Sequence, residues 1–184
     1  MPFDHFSFIA PLYNRQKEYL SLDTMLEVAR LPTDGRLLDV GGGTGRVASA
    51  LRDKARQVFV ADPSLGMLHF ANSKTGLHAV AAFSENLPFP DDFFERVIMV
   101  DALHHVMDQS KTARELLRVL EPGGRMVIEE PDIRTFGIKL VAMAEKMLLM
   151  RSHFYSPLQI ASLFPAEKAR VITKDYNAWV VVEK

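Results

Sequence analysis

Cysteine is absent, which excludes disulfides, thiolate nucleophiles and cysteine-ligated zinc. Long basic runs are absent too, and with a formal net charge of −1 the chain lacks the electrostatic footprint of a general nucleic-acid binder. A small-molecule partner is therefore expected, and no nucleic acid. No apolar stretch runs uninterrupted: "FGIKLVAMAEKMLLM" is broken by Lys139, Glu145 and Lys146, and "MPFDHFSFIAPLYN" lacks the basic-then-apolar layout of a secretory signal. The expectation is a cytoplasmic protein without stable membrane insertion. His5, His69, His78 and His153 show no mutual spacing that suggests a metal site, so no metal is expected. No internal repeat, low-complexity segment or linker interrupts the 184 residues, 48% of them hydrophobic, and this length suits one domain, 1–184, with a proper core.

What is present begins with "LLDVGGGTGRVA", Leu37 to Ala48, an apolar segment that passes through Gly41, Gly42, Gly43 and Gly45 into a helical pattern. Glycine without a Cβ tolerates positive φ and lets a ligand lie against the main chain. A strand, a glycine turn and a helix start also gather free N–H groups at the strand's carboxyl edge, where an anionic group is welcome. A tight connector that holds no ligand would use the same residues. The dinucleotide fingerprint G-x-G-x-x-G fails at its third glycine, where Arg46 stands; the spacing is G-x-G-x-G, with Asp39 two places before it.

Around this loop, strand and helix patterns alternate. A helix is predicted from about Tyr13 to Arg30, with Tyr19, Leu22, Leu26 and Ala29 on its apolar stripe, ending before Pro32. Then come "RLLDV" as strand, "GRVASALRDKA" as helix, "QVFVAD" as strand, "SLGMLHFANSK" as helix, and "LHAVAAF" and "FERVIMV" as strands. Asp108 is placed to cap the helix "QSKTARELLRVL", and "EPGG" to turn the chain into the strand "RMVIEE". After a helical region from Ile133 to about Met150 and a short one near "PLQIASLF", the strands "ARVITK" and "AWVVVEK", separated by "DYN", form an antiparallel hairpin. The fold class is α/β, doubly wound and Rossmann-like, with ligand sites outside the strands' carboxyl ends.

Asp62 ends the second strand, where a carboxylate can accept hydrogen bonds from both hydroxyls of a ribose, or else cap the helix that follows. Asp39 lies just inside the first strand, where burying a carboxylate without a partner is costly, so it requires a cationic or hydrogen-bonding one.

The run acid-x-G-x-G-x-G resembles motif I of the class I S-adenosylmethionine-dependent methyltransferases. The stretches "SENLPFPDDFFERVIMVDALHHV" and "LLRVLEPGGRMVIEEP", and the opening "FSFIAPLYN", are similar to stretches of the ubiquinone and menaquinone biosynthesis group of that family. Together the resemblance covers roughly Phe6 to Glu130. It implies a seven-stranded, mostly parallel sheet with a reversed final strand, S-adenosylmethionine as cofactor, and a small apolar or aromatic methyl acceptor. It further implies that Asp39, Gly41, Gly42, Gly43, Gly45, Asp62, Pro63, Phe83, Ser84, Glu85 and Asp101 hold the cofactor, with Asp39 facing its methionine end. One departure stands out: relatives often carry Asp where this chain has Phe83, which either covers the purine or belongs to the core.

In-line methyl transfer needs no metal, and the groups placed to take a proton from an acceptor are His104, His105 and Glu130, although the histidine pair also suits loop shaping. Phe136, Leu140, Met143, Met147 and Met150 form a helical stripe, suited either to an acceptor pocket or to core packing. The N-terminal segment from about 5 to 30, aromatic around Phe8 to Tyr13, is a candidate lid. A non-catalytic protein that binds the same cofactor and an NAD-dependent oxidoreductase are the alternative functions.

Overall fold

The computed structural model describes residues 10–11, 14, 19–132, 153–174 and 176–184. The elements among them are α1 (Leu22–Val28), β1 (Arg36–Val40), α2 (Arg46–Leu51), β2 (Gln57–Asp62), α3 (Leu65–Asn72), β3 (Leu77–Ala81), β4 (Phe94–Val100), α4 (Gln109–Val119), β5 (Leu120–Pro131), α5 (Pro157–Ala161), β6 (Lys168–Lys174) and β7 (Asn177–Glu183). They build a 7-stranded sheet in the order β3-β2-β1-β4-β5-β7-β6. β7 is antiparallel to both of its neighbours, so β6 runs with the other five strands and only β7 is reversed. The chain winds outward from β1 to β3, then crosses back to place β4 beside β1. That reversal opens a crevice at the carboxyl ends of β1 and β4, where sheets of this kind bind ligands.

The sequence reads as near-continuous apolar runs in β4 and β7 because both faces of the sheet are covered. Leu38, Met99, Ile128 and Val180 pack on one face, whereas Leu37, Ile98, Val127 and Val181 pack on the other. Adjacent residues go to opposite sides, as the strand period of two requires. α4 seats Thr112, Ala113, Leu116 and Val119 on the sheet, and Asp108 caps it as expected by accepting a hydrogen bond from the Lys111 N–H at 2.8 Å.

Two local expectations are corrected. The helix there runs from Leu22 to Val28, shorter than expected, and its most buried residues, Met25 and Val28, join Tyr19, Leu22, Leu26 and Ala29 of the expected stripe in one core cluster. Tyr19 is buried just before the helix, where its hydroxyl donates to Glu129. The "EPGG" stretch lies inside β5, where the pairing shifts between Phe94 with Leu120 and Arg96 with Arg125. The chain's far end stabilises that irregularity: the Gly123 N–H donates to the Lys184 carbonyl at 2.9 Å, and the Lys184 N–H to the Gly124 carbonyl at 3.3 Å. The helical region from Ile133 to Met150, the stripe it carries and the lid segment Phe8 to Tyr13, apart from Ala10 and Pro11, lie outside the described residues.

Candidate functional site

The glycine loop joins β1 to α2 at the crevice. Gly41 has φ +70°, and a Cβ there would stand 2.6 Å from the Ala102 Cβ, so close approach to the loop after β4 is what demands glycine. A Cβ on Gly42 would meet the Asp39 carboxyl at 2.7 Å, and one on Gly45 would meet Leu77 at 2.8 Å. Gly43 differs. Its φ is +55° and a Cβ would find nothing nearer than the Met67 sulfur at 3.8 Å, so this is the glycine whose bare surface opens toward space.

Asp62 anchors that surface: its Oδ2 accepts the Gly43 N–H at 2.9 Å and its Oδ1 the Ser64 N–H at 2.8 Å. The cap of α3 is Ser64, not Asp62, with the exposed Pro63 between them. Asp39 is the anomaly of the site. It is 1% exposed, and neither carboxylate oxygen has a hydrogen-bond partner among the described residues. Burial pushes its carboxyl up to about 7, reinforced by Asp62 and opposed by the nearby Ala48 amide and Arg46.

Arg46, the residue that breaks the dinucleotide fingerprint, lies 3.7 Å from Asp101 and 5.6 Å over the Tyr19 ring. Asp101 itself has φ +52°. Desolvation, then Glu130 and Glu129, push its carboxyl up to about 6, though 48% of its side chain is exposed and water relieves part of that pressure. Glu129 is buried, with its carboxyl raised by burial, and it accepts from Tyr19 and from the Asn177 amide at 2.7 Å. Tyr19, Arg46, Glu129 and Asn177 escaped the sequence reading. The signal for Glu129 was available: two successive acids in a strand covered on both faces must each find donors, on opposite sides.

Glu130, the second of that pair, accepts the Ala102 and Leu103 N–H groups on Oε1 at 3.0 and 2.7 Å, and its Oε2 meets His104 Nδ1 at 2.5 Å. His104 is buried and stacks on Phe154. His105 lies beside it, ring centroids 4.0 Å apart, and burial together with the neighbouring His104 pushes its imidazole down to about 3. Phe83 is 62% exposed at the end of β3, which overturns the core reading for it. Ser84 is buried and shares a hydrogen bond with Thr112 at 3.0 Å, while Glu85 Oε1 accepts the Met107 and Asp108 N–H groups at 2.9 and 3.2 Å. The β3 and β4 loops are thereby tied together. The structure thus gathers Asp39, the glycine loop, Asp62, Asp101, His104, His105 and Glu130 at one edge, with Phe83, Ser84 and Glu85 joined to it through the loop after β4. Among the described residues no group of three metal-type ligands forms and no helix is long and apolar enough to cross a membrane.

Residues 38–128 match the family described as a methyltransferase domain. The ubiquinone/menaquinone biosynthesis C-methyltransferase UbiE of Vibrio vulnificus is 37% identical over 105 residues, 52% of this chain and 40% of that protein. The demethylmenaquinone methyltransferase of Renibacterium salmoninarum is 33% identical over 140 residues, 72% of this chain and 59% of that protein. The chain therefore spans about half the length of the curated relatives it matches. A solved S-adenosylmethionine-dependent methyltransferase from Thermotoga maritima superposes with a TM-score of 0.79 at 22% identity, over 97% of each chain, which shows a shared fold.

Proposed function

Starting from a chain that carries a methyltransferase domain of the class I, S-adenosylmethionine-dependent kind, we propose that it is a methyltransferase acting on a small apolar or aromatic acceptor. The observation that carries this reading is Asp39, a buried carboxylate whose oxygens have no hydrogen-bond partner among the described residues, at the foot of a glycine loop in which Gly43 opens to space. A protein does not retain such a charge without a cation or donor to meet it, and the ammonium of an amino-acid-bearing cofactor supplies one. Gly43 and the rest of the loop would lie along the cofactor, Asp62 would take its ribose hydroxyls, and Phe83 would cover the purine beside Ser84 and Glu85. The names of the relatives support a reduced quinone ring as the acceptor.

Chemically, the bound cofactor supplies a methyl group activated by a sulfonium, so the chain's own work is to align the acceptor and exclude water. The acceptor must release a proton as it takes the methyl, and His105 is the histidine we place toward it. Held near 3, His105 is neutral at every working pH and is a weak base, so its contribution belongs at the low end for such groups. His105→Gln should lower turnover of 1,4-naphthohydroquinone by about ten- to a hundred-fold with little change in cofactor affinity, and at saturating cofactor the wild-type rate should show no acid limb near pH 6.5. An undiminished rate would make His105 structural.

Calorimetric titration with S-adenosylhomocysteine and with NAD tests the whole reading. S-adenosylhomocysteine should bind and NAD should bind far less, while Asp62→Ala, losing charge-assisted hydrogen bonds, should weaken the former by about ten- to a hundred-fold. Tighter binding of NAD, or unchanged affinity in folded Asp62→Ala, would overturn it.

A further inference from the structure

Three donors converge on the Glu130 carboxylate from consecutive residues, the N–H groups of Ala102 and Leu103 and the His104 ring, so residues 102–104 are bound to the end of β5 as one unit. The His104 imidazole is fixed in rotation by this contact. Its face lies against Phe154, with centroids 4.3 Å apart and rings 12° from parallel. Main-chain ties flank the stack: the His153 N–H donates to the His104 carbonyl at 2.7 Å, and the buried Gln109 amide bridges the carbonyls of Leu103 and His153 at 3.0 and 2.7 Å. Residues 153–156 have no regular secondary structure of their own, and these contacts, with Tyr155 against the core and Ser156 capping α5, hold them in place. The loop they grip starts at Asp101 and Ala102, and Ala102 is the residue against which Gly41 packs.

We propose that His104 is a positioning residue that transmits cofactor binding to the segment 153–155, seating Phe154 at the carboxyl edge as part of the acceptor side of the site. The proposal rests on the cofactor reading above. A ligand that orders the glycine loop and Asp101 also restrains residues 102–104 through Glu130, and among the described residues the His104 ring meets the later segment through its stack on Phe154. Coupling of this sort is a difference in ordering shared by two sites, and it is reciprocal: what tightens 153–155 also favours the cofactor.

Hydrogen exchange on the full chain, with and without S-adenosylhomocysteine, tests this in the wild type and in His104→Asn, Phe154→Leu and Phe154→Tyr. In the wild type and in Phe154→Tyr, which keeps the stack, the ligand should slow exchange at 153–155 about tenfold or more. In His104→Asn, which retains a donor to Glu130 but no ring, and in Phe154→Leu, that slowing should vanish, with ligand affinity falling by no more than the lost coupling, about tenfold. Protection confined to 101–104 in the wild type, or slowing at 153–155 that survives in both stack-breaking variants, would overturn the proposal. Should calorimetry show no S-adenosylhomocysteine binding at all, the cofactor reading fails and transmission with it. The stack is then judged in the ligand-free protein, where the His153 amide must exchange faster in Phe154→Leu than in Phe154→Tyr, and equal rates would remove Phe154 as its anchor.

Discussion

Asp39→Asn is expected to weaken S-adenosylhomocysteine binding about a hundredfold at pH 8 while making the ligand-free protein more stable at that pH. Both effects follow from one buried carboxyl that stands near 7 in the fold and without a partner. A group whose folded pKa lies above its unfolded value favours the folded state at low pH, and that advantage is lost as pH rises. For Asp39 the window runs from its ordinary value of 3.8 to about 7. Above it, the folded protein carries the net cost of that buried charge, about 4 kcal/mol for a shift of this size. Asparagine removes the charge but leaves an amide needing partners, at about 1–3 kcal/mol, so a net gain of about 2 kcal/mol is expected at pH 8 and a net loss of about 2 kcal/mol at pH 4, where the wild-type carboxyl is protonated in the fold. Urea melts at the two pH values read the difference. Wild-type affinity for the cofactor product should in turn rise between pH 5 and 7, because meeting a cationic ammonium requires the carboxyl to release its proton. Equal stability of the two proteins at pH 8 would show that Asp39 has a partner after all.

Glu130→Ala should cost the fold about 3–5 kcal/mol, the range for stripping one side from a buried network. The Ala102 and Leu103 N–H groups and His104 Nδ1 would all lose their acceptor where water has little access. For a domain of this size each kcal/mol lowers the melting temperature by about 2–4 °C, so a fall on the order of 10 °C is expected. Glu130→Gln keeps an oxygen for the two backbone donors and should lose about half as much, with the His104 tautomer adjusting to the new amide. A melting temperature unchanged in Glu130→Ala would refute the clamp and return Glu130 to a purely chemical role.

Some of this was readable from the chain alone. The strands Gln57–Asp62 and Phe94–Val100 fall where "QVFVAD" and "FERVIMV" place them, and the turn from Val40 through the glycines into α2 announces its ligand edge. These are short-range properties: a strand's apolar run, a helix cap and a glycine's tolerance of positive φ depend on neighbours a few residues away. The antiparallel hairpin at the end is legible for the same reason.

Tertiary structure alone decided the rest. Tyr19 packs with the rest of its predicted stripe, yet its hydroxyl meets a glutamate 110 positions away, a pairing no periodicity spans. Four glycines look alike in sequence, yet Ala102, Asp39 and Leu77 stand against three of them and only Gly43 remains open, because the sheet order puts β4 on one side of β1 and β2 on the other. Phe83 could be read as core or as cover until the end of β3 exposed it. Adjacent acids at 129 and 130 differ only in which face each strand position presents, one meeting Tyr19 and Asn177, the other the loop after β4. The sequence by itself determined which residues could carry charge and where the backbone could bend; the order of the strands determined which of those charges found partners, leaving Asp39 as the one buried carboxylate that the described fold does not satisfy.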